Sequence, residues 1–288
     1  MGYGYWDTKS FDDYTTKTKG VSTNAFVTAD HLNIQNVYKY HELASELDPQ
    51  GVMRECCDSD EHPYTLPVIL ALDVTGSMGG AAVRVAQKLN EIMTDLYADN
   101  SVRDIEFCVM GIGDLAYDHA PIQISQFESD IRIAEQLDKI YFEGGGGGNG
   151  YESYTAAWYM GLRHCNLDCW KRGQKGIIIT MGDELPNPYL PFQKLKLQVG
   201  DNLEANIETV NLLNEVKDRF DVYHISVNDR ESSYSYYASM YDIDECWRKL
   251  LGDNYFVATL DNLAARIVGI IKSHITNNFI SNTGEVTW

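Results

Sequence analysis

The amino-acid sequence predicts an α/β fold with a doubly wound, mainly parallel central sheet flanked by helices. Short, nearly continuous apolar runs recur along the chain, which is typical of parallel strands covered on both faces. Segments with apolar residues at helical spacing separate these runs. The 288 residues are 44% hydrophobic and 23% charged, as in ordinary globular domains, so a sizeable core can be buried.

The elements follow from these two patterns in chain order. The first apolar run covers residues 67–73 and ends in an acid, and apolar residues then recur at helical spacing from Ala82 to Leu96. The later runs predict strands over residues 105–113, 176–181, 221–227 and 255–259. The spacing around them predicts helices over residues 131–137, 151–164, 203–220, 236–251 and 260–271. Sheets built from such units bind ligands at the carboxyl ends of their strands.

The chain is predicted to have three parts. Residues 1–65 are an N-terminal arm and an acidic loop that leads into the body. The arm is rich in Thr, Tyr and Asn without clear periodicity, so we expect it to be packed on the body or partly disordered. Residues 66–277 form the main domain, and residues 278–288 are a C-terminal tail.

The charge of the chain argues against two classes of partner. A net charge of −19 repels nucleic-acid backbones and anionic membranes, so neither is expected to bind. No apolar run approaches the ~18 to 20 residues of a membrane span, and the first residues lack the pattern of a signal peptide. A cytoplasmic location is therefore expected, with the six cysteines as free thiols.

Cys165 and Cys169 are a minor alternative metal site. They are four residues apart beside His164, and on a helix they could share one face and hold a soft metal. Buried thiols that behave as small hydrophobic side chains are the commoner outcome for such cysteines.

The first predicted strand leads into a run of oxygen-bearing side chains. Asp73 is followed by hydroxyls two and four residues later, at Thr75 and Ser77, with glycines that allow a tight turn into the next helix. Three hard oxygen donors near one point suit Mg²⁺ or Mn²⁺. A hydroxyl in this place could instead only cap the helix. We expect Asp73 to face solvent at its strand end.

Two further strand exits carry polar groups. Six of the seven residues 144–150 are glycine, a run that permits close backbone approach, although a flexible linker is the alternative. Asn149 and Glu152 follow at the predicted helix start, and Asp183 leaves the strand at residues 176–181. Asp183 alone could be a turn acid, but with Asp73 and two hydroxyls it forms a coherent cation site.

Together these motifs resemble the von Willebrand factor type A (vWA) domain, a Rossmann-like fold. Its metal-ion-dependent adhesion site (MIDAS) is written D-x-S-x-S with a distant Thr and Asp. The resemblance covers about residues 66–275. It implies a metal site of Asp73, Thr75, Ser77 and Asp183. The family's separate Thr is missing, and Asn149 is the first choice for its place, with Glu152 the second.

The resemblance implies a non-enzymatic module that binds a protein partner. The cofactor would be Mg²⁺, or Mn²⁺ or Ca²⁺, with one coordination position open for a carboxylate from the partner. No catalytic residue and no small-molecule substrate are expected. Such a cation offsets the local acids, so an acidic partner group meets the charge of the metal. The tyrosine-rich segment 231–237 and residues 114–119 lie at the same predicted rim, where tyrosines supply rigid contact area.

Two alternatives of other classes remain. The chain could be a structural or assembly component of a larger complex, with an incidental metal site. A haloacid-dehalogenase-like phosphatase would also place an Asp after its first strand and use Mg²⁺, but it requires a second acid where Thr75 stands. Nucleotide binding is not supported, because neither glycine cluster is followed by the Lys-Ser/Thr of a phosphate loop.

Overall fold

A computed structural model describes residues 4–29, 37–38, 40–98, 104–143, 149–228 and 240–282, with backbone alone at 240, 241 and 278–282. The helices of that part are α1 (Thr8–Lys19), α2 (Thr23–Val27), α3 (Gly79–Tyr97), α4 (Arg132–Leu137), α5 (Thr155–Arg163), α6 (Phe192–Val199), α7 (Thr209–Val216), α8 (Met240–Leu251) and α9 (Leu263–Asn282). Its longer strands are β2 (Leu66–Asp73), β3 (Ile105–Ile112), β7 (Gly176–Gly182) and β11 (Phe220–Val227). The shorter ones are β1 (Arg54–Cys56), β4 (Ile122–Ile124), β5 (Tyr151–Glu152), β6 (Cys165–Leu167), β8 (Leu185–Pro186), β9 (Tyr189–Leu190), β10 (Ile207–Glu208) and β12 (Tyr255–Ala258).

The central sheet confirms the predicted fold class. Its order is β12-β11-β7-β2-β3-β4. All neighbouring pairs are parallel except β3 with β4, which are antiparallel. In this described part, β2, β3 and β7 are buried along almost their whole length, which explains why they read as continuous apolar runs.

Two hydrophobic layers cover the sheet. Because successive strand residues point to opposite faces, Val68, Leu70 and Leu72 pack in the cluster that contains α3 and α9. Ile69 and Ala71 pack in the other cluster, with α5, α7 and α8. By the same alternation, Asp73 belongs to the α5 and α8 side. This orientation decides the surroundings of the strand-end acid.

The N-terminal residues contain helices that the prediction of an arm without periodicity did not include. The side chain of Asp7 caps α1, and Phe11 is 1% exposed within the layer of α3. Trp6 Nε1 donates to Asn90 Oδ1 over 3.0 Å, and Gln87 Nε2 donates to the Phe26 carbonyl over 2.9 Å. Residues 4–29 therefore pack against α3.

Other boundaries differ from the predictions. The predicted helix 151–164 begins at Thr155, because residues 151–152 pair with β8. The predicted helix 203–220 covers only Thr209–Val216, and α9 runs past residue 278 to Asn282, so the predicted tail begins inside a helix. Residues 236–239 of another predicted helix lie outside the described part.

The two cysteines considered for a soft metal do not share a helix face. Cys165 lies in β6, which pairs with β1, and Cys169 lies in a short 3₁₀ turn, Asp168–Arg172. Both are buried free thiols, so the hydrophobic role is the one observed. In the described residues, no helix combines the length and the apolar character needed to cross a membrane.

Candidate metal centre

Four predicted metal ligands meet where β2 and β7 end. The two strands are paired in parallel with Leu72 opposite Met181, so their carboxyl ends lie at the same level. Asp73 is the last residue of β2, and Asp183 directly follows β7. Thr75 and Ser77 stand in the turn between β2 and α3. The parallel register therefore brings both acids to one edge of the sheet.

A continuous series of short contacts connects the four side chains. Asp73 Oδ1 accepts hydrogen bonds from the backbone N–H of Thr75 at 2.8 Å and from its hydroxyl at 2.6 Å. The hydroxyl oxygens of Thr75 and Ser77 are 3.3 Å apart. Ser77 Oγ donates to Asp183 Oδ1 over 3.0 Å. Four oxygen-bearing groups from two strand ends thus share a small volume.

The expectation that Asp73 faces solvent is wrong. Asp73 is 0% exposed, because its side chain points to the α5 and α8 side and is covered there by Tyr154. Thr75 is 2% exposed and Asp183 is 7% exposed. Ser77 is the exposed member of the group, so solvent reaches the four side chains from its side.

Tyr154 is the residue that the sequence reasoning missed. Its hydroxyl donates to Asp73 Oδ2 over 2.7 Å and accepts from the backbone N–H of Glu184 at 3.3 Å. Tyr154 is itself 0% exposed. A Cβ at Gly182 would overlap the Tyr154 hydroxyl, so the glycine at the end of β7 makes room for it. In the sequence, that glycine was the only sign that another group comes so close to the backbone of β7.

The electrostatics of the strand ends disfavour ionised carboxylates. Burial, followed by repulsion from Asp183, raises the pKa of Asp73 to about 7. Burial also raises the pKa of Asp183. In the described part of the chain, the ion pairs of Lys, Arg and His side chains include neither acid. Buried acids are usually paired or bound to metals, and among the described residues no cationic side chain pairs with these two.

Glu152 is a third buried acid near the same edge. Glu152 is 3% exposed, and within the described part of the chain its Oε2 has no hydrogen-bond partner. Burial, followed by repulsion from Asp73, raises the pKa of Glu152 to about 11. The backbone places it there, because Glu152 pairs with Pro186 beyond β7 and its carbonyl accepts from the Asn187 N–H over 3.2 Å.

Asn149 is held in the adjacent loop. Its Nδ2 donates to Asp114 Oδ2 over 2.8 Å, and its Oδ1 accepts from the Tyr151 N–H over 3.0 Å. Both ends of the amide are thus engaged within the loop, and the described hydrogen bonds of Asn149 include none to Asp73 or Asp183. Its assignment as a ligand stays a prediction, as do those of the other four residues.

Acids also line the neighbouring turn after β3. Asp118 Oδ2 accepts from the Asp114 N–H over 2.7 Å. Burial, and then repulsion from Glu143 and Asp114, raises the pKa of Asp118 to about 6. Burial raises the pKa of Asp114 as well. The predicted glycine loop at 144–148 and the tyrosine-rich segment 231–237 lie outside the described residues.

The donor set fits a hard divalent cation. In the described part, no three His, Cys, Asp or Glu side chains form a metal cluster by themselves, so hydroxyl oxygens would have to complete any site. Oxygen donors without sulfur or imidazole favour Mg²⁺, Mn²⁺ or Ca²⁺. The unpartnered Glu152 Oε2 and the raised pKa values of the acids are the features that a bound cation would relieve.

Comparisons with known proteins support the fold. The sequence matches no protein-family model, and no curated protein matches it. The pilus adhesin SpaC from Lactobacillus rhamnosus GG, in its open conformation, is similar over 79% of this chain, with a TM-score of 0.52 and 15% identity. This chain spans 31% of that adhesin. The conserved hypothetical protein BatB from Bacteroides thetaiotaomicron has a TM-score of 0.44 and 15% identity, over 73% of this chain and 99% of BatB. The described residues form a mixed α/β architecture with a central, mostly parallel sheet flanked by helices, which is consistent with the predicted vWA or Rossmann-like fold class.

Proposed function

We propose that this chain is a non-enzymatic protein-interaction domain that binds its partner through a divalent cation, Mg²⁺ in the first place, at a MIDAS-type site. Asp73, Thr75, Ser77 and Asp183 would hold the cation. The observation that carries the proposal is the pair of buried strand-end acids, which two hydroxyls join and which form no ion pair with a cationic side chain of the described residues. Isolated buried charges are costly, and a divalent cation supplies the missing positive charge.

Glu152 is the buried acid next to the proposed site. In the described part it does not form a three-acid cluster with Asp73 and Asp183, so its carboxylate would act on the cation through its charge. Its Oε2 is buried and has no partner among the described residues, and Asp73 repels its charge; a nearby cation would relieve both. Asn149 has its amide engaged by Asp114 and Tyr151, so its part is to hold the loop that carries Glu152. A carboxylate in the place of the missing Thr also raises the negative charge around the cation.

The partner would contribute a carboxylate to the cation. Mg²⁺ binds about six oxygen ligands and usually keeps several waters, so a site of a few side chains leaves positions for an outside group. A chain with a net charge of −19 repels an acidic partner except where a cation is bound. Recognition of an acid would therefore depend on the metal.

Exposed tyrosines near the site would provide the remaining contact area. Tyr117, Tyr151 and Tyr189 are 62%, 39% and 41% exposed. Tyr117 follows the turn at Asp114, Tyr151 follows Asn149, and Tyr189 stands beyond β8. Tyrosine supplies amphipathic contact area at a low entropic cost, which suits a partner surface around one carboxylate.

Water relaxation on the Mn²⁺-loaded full chain tests this function. Acetate serves as the simplest carboxylate probe and is titrated while the proton relaxivity of bound water is recorded. We expect a saturable fall in relaxivity as acetate replaces water, and no such fall in the Asp183→Asn variant. The Asp221→Asn variant, altered at the other end of the sheet, is the control and should respond like the wild type. An unchanged relaxivity in the wild type would overturn the proposal.

A further inference from the structure

Tyr154 occupies the junction between the two strand ends. Its hydroxyl bonds to Asp73 Oδ2 at the end of β2 and to the N–H of Glu184 just beyond β7. The second Asp73 oxygen, Oδ1, is bound by Thr75. One hydroxyl therefore contacts both loops of the proposed site and fixes the carboxylate plane of Asp73.

The ring of Tyr154 is itself held by an aromatic cluster under α8. It lies edge-on to His224 with centroids 5.0 Å apart and to Trp247 with centroids 5.5 Å apart. Trp247 stacks on His224 at 3.6 Å with an interplanar angle of 7°. Its indole N–H donates to the Glu184 carbonyl over 3.1 Å. Trp247 thus binds the carbonyl of the same residue whose N–H contacts Tyr154.

The geometry points to Tyr154 as a positioning residue of the cation site, with Trp247 as its support, and this inference rests on the proposed function. The hydroxyl orients Asp73 through Oδ2, the carboxylate oxygen that Thr75 does not bind. The Trp247 indole keeps the Glu184 backbone in place, so the loop that carries Asp183 stays at a fixed separation from β2. Outer hydrogen bonds of this kind orient metal ligands and tune affinity.

The test compares Mn²⁺ binding by the wild-type chain and by the Tyr154→Phe variant, using calorimetry and the Mn²⁺ electron paramagnetic resonance spectrum. Tyr154→Phe keeps the ring and removes only the hydroxyl. We expect about 10-fold to 100-fold weaker Mn²⁺ binding, as for other outer-layer partners of metal ligands, with a changed spectrum of the bound ion. Trp247→Phe should weaken binding less, because it removes the bond to the Glu184 carbonyl and part of the stack on His224 but keeps the Tyr154 hydroxyl.

The matched control is Tyr255→Phe. Tyr255 also stacks near His224, with centroids 6.2 Å apart, but its neighbours are Asp244 and Arg248. Removal of the Tyr255 hydroxyl should leave the Mn²⁺ affinity and the electron paramagnetic resonance spectrum of the bound ion unchanged. Equal Mn²⁺ binding by wild type and Tyr154→Phe would overturn the inference and leave the proposed function intact. No Mn²⁺ binding by the wild type would overturn both. If Tyr154→Phe does not fold, unchanged Mn²⁺ binding and spectrum in Trp247→Phe would overturn the inference.

Discussion

Asp73→Asn should stabilise the metal-free protein while removing its response to metal. Asn preserves the shape of the side chain and an oxygen for the Thr75 donors, but it carries no charge. A pKa of about 7 in place of an ordinary value of 3.8 means that keeping Asp73 ionised in the fold at pH 8 costs about 4 kcal/mol. About half of this gain is offset, because the Asn amide nitrogen cannot accept the hydrogen bond that the Tyr154 hydroxyl donates to Asp73 Oδ2.

The expected net effect is about 2 kcal/mol, or a melting temperature about 4–8 °C higher in chelator at pH 8. The direction of the pH dependence follows from the linkage between protonation and folding. The folded pKa of Asp73 lies above the unfolded one, so the destabilisation is complete above about pH 7 and fades as the pH falls towards the unfolded value. The difference between wild type and variant should therefore shrink at pH 5. Thermal unfolding followed by circular dichroism, with and without Mg²⁺, measures the difference in melting temperature and its dependence on pH.

Asp221→Asn is a control variant for which we expect the opposite change in stability. Asp221 is the half-buried second residue of β11, and its hydrogen bond with His274, at 2.9 Å, lowers the pKa of its carboxyl. Its ionised form therefore stabilises the fold above the unfolded pKa, and this contribution is lost as the pH falls through the folded pKa. The Asp221 variant should melt lower at neutral pH. A lower melting temperature for Asp73→Asn in chelator would refute the reasoning about unpaired charge.

Three further changes probe the site and the arm. Glu152→Gln should raise the melting temperature in chelator and weaken Mn²⁺ binding at least about 10-fold by calorimetry, because a neutral amide cannot offset the cation. Gly182→Ala should weaken Mn²⁺ binding at least about 10-fold in the same assay, as Tyr154→Phe should, since its methyl group displaces the Tyr154 hydroxyl; wild-type affinity would contradict the packing described. Phe11→Ala should lower the unfolding free energy by about 3–5 kcal/mol in a denaturant titration, whereas a loosely attached arm would show almost no change.

The central sheet was predictable because strands that are buried on both faces appear in the sequence as continuous apolar runs. The apolar runs of β2, β7 and β11 placed the strands within a residue or two of their observed bounds. Parallel strands then bring Asp73 and Asp183 to one edge by topology alone. The meeting of these acids with Thr75 and Ser77 needed no information beyond the strand order.

The remaining features depend on tertiary packing that leaves little trace in the sequence. The arm has no clear apolar stripe, since α1 buries only Phe11 and Thr15. The surroundings of Asp73 depend on which face its side chain takes and on a tyrosine from another element, and neither follows from the motif. Spacing alone also cannot show that the side chain of Asn149, the first choice for the missing Thr, donates to Asp114.

Calorimetric titration of Mg²⁺ and Mn²⁺ into the chelator-stripped full chain tests the central claim most directly. Wild type is compared with Asp73→Asn, Asp183→Asn and the Asp221→Asn control at pH 8, where the strand-end acids can ionise. We predict saturable binding of one ion by the wild type and the control, and its loss in the Asp73 and Asp183 variants. Absence of binding in the wild type, or binding that both variants retain, would contradict the account.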